Sequence, residues 1–224
     1  GMSVTAAFEK RTFHVSPDGD DAADGRGWAT ARRTLQAAID SALAGDVVLA
    51  TNGVYAPVSV TDNRALEIRS VNGVDATVID GENRTRCVSF GSSTNTVLVG
   101  FTLKNGNTNG NGGGSYYGTL VNCTLRNNKS TNNGGGSYYS RLVSCLVVSN
   151  SASSYAGGVA YGSAYNSTVV GNVANYYASA YGGASYNSIY CGNTNRYSGY
   201  STFYSHSLYS CCVDQDGIST ANGN

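Results

Sequence analysis

Val121-Asn-Cys-Thr-Leu-Arg-Asn-Asn128 returns as Val143-Ser-Cys-Leu-Val-Val-Ser-Asn150. It returns again as Tyr165-Asn-Ser-Thr-Val-Val-Gly-Asn172 and once more as Tyr186-Asn-Ser-Ile-Tyr-Cys-Gly-Asn193, so the copies start at positions 121, 143, 165 and 186. The pattern reaches back to Val99-Gly-Phe-Thr-Leu-Lys-Asn-Gly106 and forward to Leu208-Tyr-Ser-Cys-Cys-Val-Asp-Gln215. A second signature keeps the same phase: Gly112-Gly-Gly-Ser-Tyr-Tyr117, Gly134-Gly-Gly-Ser-Tyr-Tyr139, then Gly157-Gly-Val-Ala-Tyr161. Self-similarity at a fixed period decides the architecture before local propensity does.

Each unit alternates with a period of two, as a strand does. Val121, Cys123 and Leu125 are expected to point inward, as are Val143, Cys145 and Val147; Asn122, Thr124 and Arg126 are expected outside. A unit this short, about 22 residues, cannot hold two strands and a helical crossover. It suits two or three short strands joined by tight turns. Stacked in parallel at about 4.8 Å per coil, such strands pair their backbones with the coils above and below. The sequence therefore predicts an all-β, right-handed parallel β-helix with coils of about 22 residues.

The turn chemistry agrees. Asn128, Asn150, Asn172 and Asn193 fall in one column. Asn tolerates left-handed backbone, and a stacked Asn column can hydrogen-bond along the axis. Gly runs mark places with no room for a side chain or with positive φ. The Asn-x-Ser/Thr triplets at Asn83, Asn122, Asn128 and Asn166 fall out of the same ladder composition.

Ahead of the repeats, residues 31–44 form the one amphipathic helix, with Leu35, Ala38, Ile39, Ala42 and Leu43 on one face and Gly45 as its stop. Short apolar strands follow at Val47–Ala50, Val58–Val60, Leu66–Ile68 and Thr77–Ile79. A solenoid end exposes core and strand edges, and the helix is the expected N-terminal plug. One domain spans 1–224: the cap helix and first coils over 13–96, regular coils over 97–215, and a tail over 216–224. Nothing like a C-terminal cap is evident in that tail, which leaves end-to-end self-association as an expectation.

The stretch Phe13-His-Val-Ser-Pro-Asp-Gly-Asp-Asp, with Trp28-Ala-Thr-Ala, Thr34-Leu-Gln-Ala-Ala-Ile-Asp40 and Gly53-Val-Tyr55, resembles the N-terminal region of pectin-lyase-like β-helix proteins. The Gly- and Asn-bearing coils are similar to repeats of bacterial surface β-helix proteins, including polymorphic outer-membrane proteins and adhesins, although the repeats here lack the Phe of those motifs. The resemblance implies an extracellular or cell-surface setting and a glycan partner. That superfamily spans polysaccharide lyases, glycoside hydrolases and adhesins, so function has to be argued from the site.

Charge narrows the choice. Residues 1–100 carry nine basic and twelve acidic side chains, whereas 101–213 hold Lys104, Arg126, Lys129, Arg141 and Arg196 and no Asp or Glu. Five scattered cations exclude the clustered basic face that nucleic acid requires. No apolar run approaches the roughly 18 residues of a membrane span. No signal-peptide pattern is seen; Gly1-Met2-Ser3 reads as a cloning remnant, which leaves secretion open.

Lyases of the resembled superfamily hold calcium with acidic residues on central coils and use Arg or Lys as base; glycoside hydrolysis needs a pair of carboxylates. The acid-free central coils offer neither, so no catalytic residue is assigned there. A catalytic alternative rests on Asp62, Glu67, Asp80 and Glu82 beside Arg64, Arg69, Arg84 or Arg86, or on Asp214 and Asp216. The calcium candidates are Asp18, Asp20, Asp21 and Asp24, whose oxygen ligands suit the ion. They lack a closing bidentate Glu and read first as turn formers, so no cofactor is assigned. His14 and His206 have no evident acid or nucleophile partner. Cys123 and Cys145 share an inward column one coil apart, which suits either a disulfide or two small buried hydrophobes.

Sixteen of the seventeen tyrosines follow residue 115. One column reads Tyr117, Tyr139, Tyr161, Gly182, Tyr204, and its neighbour Tyr116, Tyr138, Ala160, Tyr181, Phe203. With Val159 inward, period two puts the Tyr117 column inside and Tyr116, Tyr138, Tyr181 and Phe203 outside. That outer stripe is the candidate glycan site, with rings against sugar C–H faces and Asn and Ser near sugar hydroxyls. Three functions remain open: a glycan-binding or adhesin-type module, a polysaccharide lyase or hydrolase, and a structural spacer.

Overall fold

The computed structural model describes residues 9–92 and 94–214. Short strands pair in parallel with their equivalents one coil before and after, forming four ladders. The first ladder includes Ser115–Tyr116, Ser137–Tyr138 and Val159–Ala160; the second includes Thr119–Val121, Arg141–Val143 and Ser163–Tyr165. Ala180–Tyr186 and Phe203–Tyr209 run unbroken through the corner between these two and merge them into one 14-stranded sheet. The third ladder, with Thr124–Arg126 and Leu146–Val148, has eight strands, one per coil. The fourth is short, from Asn107–Thr108 to Thr194–Asn195. This is the parallel β-helix expected from the repeat, with equal steps from Thr119 to Arg141 and on to Ser163.

The interior consists of columns. Leu98, Leu120, Leu142 and Ala164 line the second ladder; Ile79, Leu103, Leu125, Val147 and Val169 line the third, and all are fully buried. The expected phase is corrected at one point. Cys123 and Leu125 point inward as read, but Leu120 takes the buried place expected of Val121, which is only half-buried. The cause is the corner. Asn122, Ser144, Asn166 and Asn187 have φ of 49–52°. A left-handed residue interrupts the pleat, so alternation cannot be counted across it.

Asn128, Asn150 and Asn172 are buried and form the expected axial ladder. The Asn150 side-chain oxygen accepts from Asn128 N (2.9 Å) and Asn128 Nδ2 (3.0 Å), while Asn150 Nδ2 donates to Leu125 O (2.9 Å) and Asn172 Oδ1 (3.0 Å). Positive φ falls instead on the preceding residues Asn127, Ser149, Gly171 and Gly192.

The helix is shorter than expected, Leu35–Ser41. Thr34 caps it by accepting from Ala37 N, and Arg32 is in a β-bridge with Val15 rather than helical. Leu35, Ala38, Ile39 and Ala42 are buried with the solenoid core, but Leu43 lies beyond the helix end and is 55% exposed. The expected tail lies outside the described residues.

Candidate functional site

At the corner between the first and second ladders, Tyr117, Tyr139 and Tyr161 have φ of 60, 53 and 54°. This overturns their expected place in the core. Val159 points inward as read, but the left-handed corner residue breaks the count and leaves the rings on the outside, Tyr139 being 40% exposed. The three rings stack at 5.1 Å with planes 8° apart. Beside them runs an open groove of about 560 Å³. Its other bank carries Arg141 and Ser163 of the second ladder. Small residues make the channel because backbone lies close behind: a Cβ on Gly162 would collide with Ser140 O, and one on Gly183 with Gly162 O. From Ser92 and Thr94 to Gly183 and Ala184 the lining crosses five successive coils, so the groove runs along the solenoid.

Tyrosines extend both banks. Arg141 lies over Tyr165 at 4.9 Å, and Tyr165, Tyr186 and Tyr209 stack at 4.9 and 4.7 Å. Of the predicted stripe, Tyr116 and Tyr138 stack at 5.5 Å and meet Tyr117 and Tyr139 edge-on at 4.9 Å each. Tyr181 stands edge-on to Tyr161 at 5.0 Å and stacks on Tyr155 at 4.6 Å. A hydrogen bond between Tyr161 and Tyr181, reinforced by burial, pushes the Tyr161 hydroxyl pKa upward. Phe203 does not belong to the stripe. It pairs with Ala180 and packs against the core, and Tyr204 takes the place beside Tyr181. The last step, Tyr181 to Tyr204, is longer by one than the step from Thr119 to Arg141, so the register moves by one.

The other candidates lie elsewhere. Asp21 caps the segment before the helix, accepting from Arg33 N, Thr34 N and Thr34 Oγ1 at 2.8–2.9 Å. Asp24 accepts from Arg26 N and Thr30 Oγ1, Asp20 accepts from Ala22 N, and Asp18 N donates to Ser16 Oγ. These residues serve the loop itself, and no cluster of three metal-binding side chains occurs among the described residues. The early acids are each paired with a base: Asp62 with Arg64 (3.3 Å), Glu67 with Arg69 (2.5 Å) and Lys10 (3.4 Å), Glu82 with Arg84 (3.4 Å) and Asp80 with Lys104 (3.1 Å). Glu67 is on the second ladder and Asp80 on the third, so they do not share a face. Asp214 accepts from Gly192 N, and Asp216 lies outside the described residues. Cys123 and Cys145 are free buried thiols, and burial pushes the Cys123 pKa up. His14 is half-buried beside Gly25 O; His206 is buried against Ser185, a nucleophile-type partner not expected from the sequence.

Sequence reasoning misses Arg141, Tyr139 and Tyr161 as site residues. The available signal is Gly182 in the Tyr117 column, which marks that column as a turn position.

Coils, corners and axial ladders place the protein among the parallel β-helices. No protein-family model matches the sequence, and no curated protein matches it. Among solved structures it is similar to a pectin methylesterase complexed with a hexasaccharide, at 12% identity and TM-score 0.52, over 96% of this chain and 92% of that one. The Aspergillus niger pectin methylesterase aligns at 14% identity and TM-score 0.49 (100% and 91% covered), and the Erwinia chrysanthemi enzyme at 13% and 0.48 (95% and 85%). The fold is pectin-lyase-like. Among the described residues no helix is long and apolar enough to cross a membrane.

Proposed function

We propose that this protein is a secreted or cell-surface module that binds polysaccharide without cleaving it, holding an extended sugar chain along the corner groove. The observation that carries the reading is a groove that crosses five coils, with Tyr117, Tyr139 and Tyr161 from three of them on one bank, Arg141 and Ser163 on the other, and no carboxylate in its lining. The stacked rings cover one another's faces, so a sugar meets their edges and hydroxyls rather than a stacking platform. Arg141 is the one cation in the lining, and residues 101–213 contain no acid to neutralise it. An acidic polysaccharide such as the pectins named for the fold neighbours suits that charge. Tyr116, Tyr138 and Tyr181 flank the groove and buttress its wall.

The test is binding to a panel of immobilised acidic and neutral glycans, with calcium and with chelator. Calcium-independent binding to acidic glycans, weakened at least tenfold by Arg141→Gln and reduced by Tyr139→Phe, is expected. No binding to any glycan overturns the reading and leaves a structural spacer. Released methanol or new reducing ends in the same wells would establish an enzyme in place of the binding module.

A further inference from the structure

The aliphatic lining gives way near the C-terminal end of the described solenoid. After Leu98, Leu120, Leu142 and Ala164, the next residue in that column is Ser185; after Leu103, Leu125, Val147 and Val169, the next is Tyr190. Both are fully buried. His206, paired with Gly183 in the last described coil, is 9% exposed. Ser185 Oγ is 2.8 Å from His206 Nε2 and 2.6 Å from the Tyr190 hydroxyl, and His206 Nδ1 is 2.6 Å from Gly182 O.

These contacts assign the protons. A carbonyl only accepts, so Nδ1 carries hydrogen and donates to Gly182 O. In the neutral ring Nε2 is then an acceptor; Ser185 donates to it, and Tyr190 donates to Ser185. A second ring proton, on Nε2, turns Ser185 into an acceptor; Ser185 can then donate only to the Tyr190 oxygen, so the Tyr190 hydroxyl loses its acceptor, and a cation is placed in the core. Such a charge is costly without a partner.

We propose that His206 is an acid-sensitive latch: its protonation releases the strand Phe203–Tyr209 from Ala180–Tyr186 beneath it. Among the described residues no acidic group lies against the ring to relieve the charge. The titratable neighbours are Tyr190 on the third ladder, 6.3 Å away ring to ring, and Cys211 just past the strand, both neutral in acid. Ala180–Tyr186 contributes only Tyr181 and Tyr186, which stack outside, and Phe203–Tyr209 only Tyr204 and Tyr209. Asp214 is held by Gly192 N, and Arg196 is bonded to Ala152 O.

Burial lowers the His206 pKa from 6.5, more than its bond to Gly182 raises it. A depressed folded-state pKa means that the unfolded coil binds the proton first. The latch is therefore fully closed above the unfolded value of about 6.5, and its closing equilibrium falls by up to tenfold per pH unit below that, until the folded pKa is reached.

The test is amide hydrogen exchange of the whole protein, corrected for intrinsic rates, at neutral pH and about one unit below the unfolded histidine value. Protection in 203–213 is expected to fall several-fold while 119–148 is unchanged, and His206→Gln is expected to abolish the difference. Equal behaviour of the two segments, or unchanged pH dependence in the variant, overturns the latch. Should the variant misfold, the imidazole NMR titration of the wild type decides, with His14→Gln assigning the two signals: a His206 pKa at or above about 6.5 refutes the proposal.

Discussion

Asn150→Ala cuts the axial ladder at one rung, and its cost follows from the bonds counted there. The Asn150 amide accepts from Asn128 N and Asn128 Nδ2 and donates to Leu125 O and Asn172 Oδ1. Asn128 Nδ2 keeps Leu103 O, and Asn172 Oδ1 keeps Asn150 N. Asn128 N loses its partner outright, in a region sealed from water, while Leu125 O keeps its ladder pairing with Leu146–Val148. An unsatisfied buried group costs about 1–3 kcal/mol, and that is the expected loss before any cavity is counted. Asn132→Ala is the control: that residue is exposed, and a change within about 0.5 kcal/mol is expected. Urea unfolding followed by far-UV circular dichroism reads both, with midpoint and slope fitted separately because a solenoid can lose coils one at a time. A loss below about 1 kcal/mol for Asn150→Ala would refute the claim that the ladder holds the coils together.

Leu120→Ala, between Leu98 and Leu142 with no exposure, is expected to cost about 2–5 kcal/mol by the same assay. At the N-terminal end burial works to raise the Asp46 pKa, but hydrogen bonds from Arg11 and Leu43 N outweigh it and hold the carboxylate below its usual range. Its contribution is therefore present above about pH 4 and lost as pH falls through the folded value; Asp46→Asn is expected to lower neutral-pH stability and flatten the acid limb of the melting-temperature profile. A thiol reagent is expected to label exposed Cys212 first and to spare Cys87, whose pKa burial pushes to about 12, and Cys123 until the chain unfolds; peptide mass mapping reads the order. Gly162→Ala is expected to destabilise the protein, since its Cβ would meet Ser140 O; thermal melting reads the effect.

The fixed period made the fold legible, because only a stacked coil uses the same column of residues at every pass. Phase was harder to read. A strand's alternation is reset at each left-handed corner, and tyrosine, unlike glycine, does not announce such a corner, which is why Tyr117 and Val121 are expected inside on sequence alone. The slip at Phe203 has a different origin, one extra residue between Thr194–Asn195 and Phe203–Tyr209. The groove was not legible because its banks come from two ladders, brought together by the corner between them. The partners of His206 became visible only once Ser185 and Tyr190 were known to face inward.

The amide ladder also has a direction. Gly106 N donates to Asn128, Asn128 N to Asn150, Asn150 N to Asn172, and Asn172 N to Asn193; each coil's backbone amide is completed by the coil made after it. On a ribosome, which releases the earlier coil first, the newest coil therefore holds out this buried donor, along with its strand edges, for its successor to fill. Assembly becomes a ratchet: each arriving asparagine locks the coil behind it and exposes the next vacancy. A stall in synthesis leaves that amide open together with the unpaired strand edge of the last coil, where Tyr117 N and Asn122 N, for example, await Tyr138 O and Val143 O.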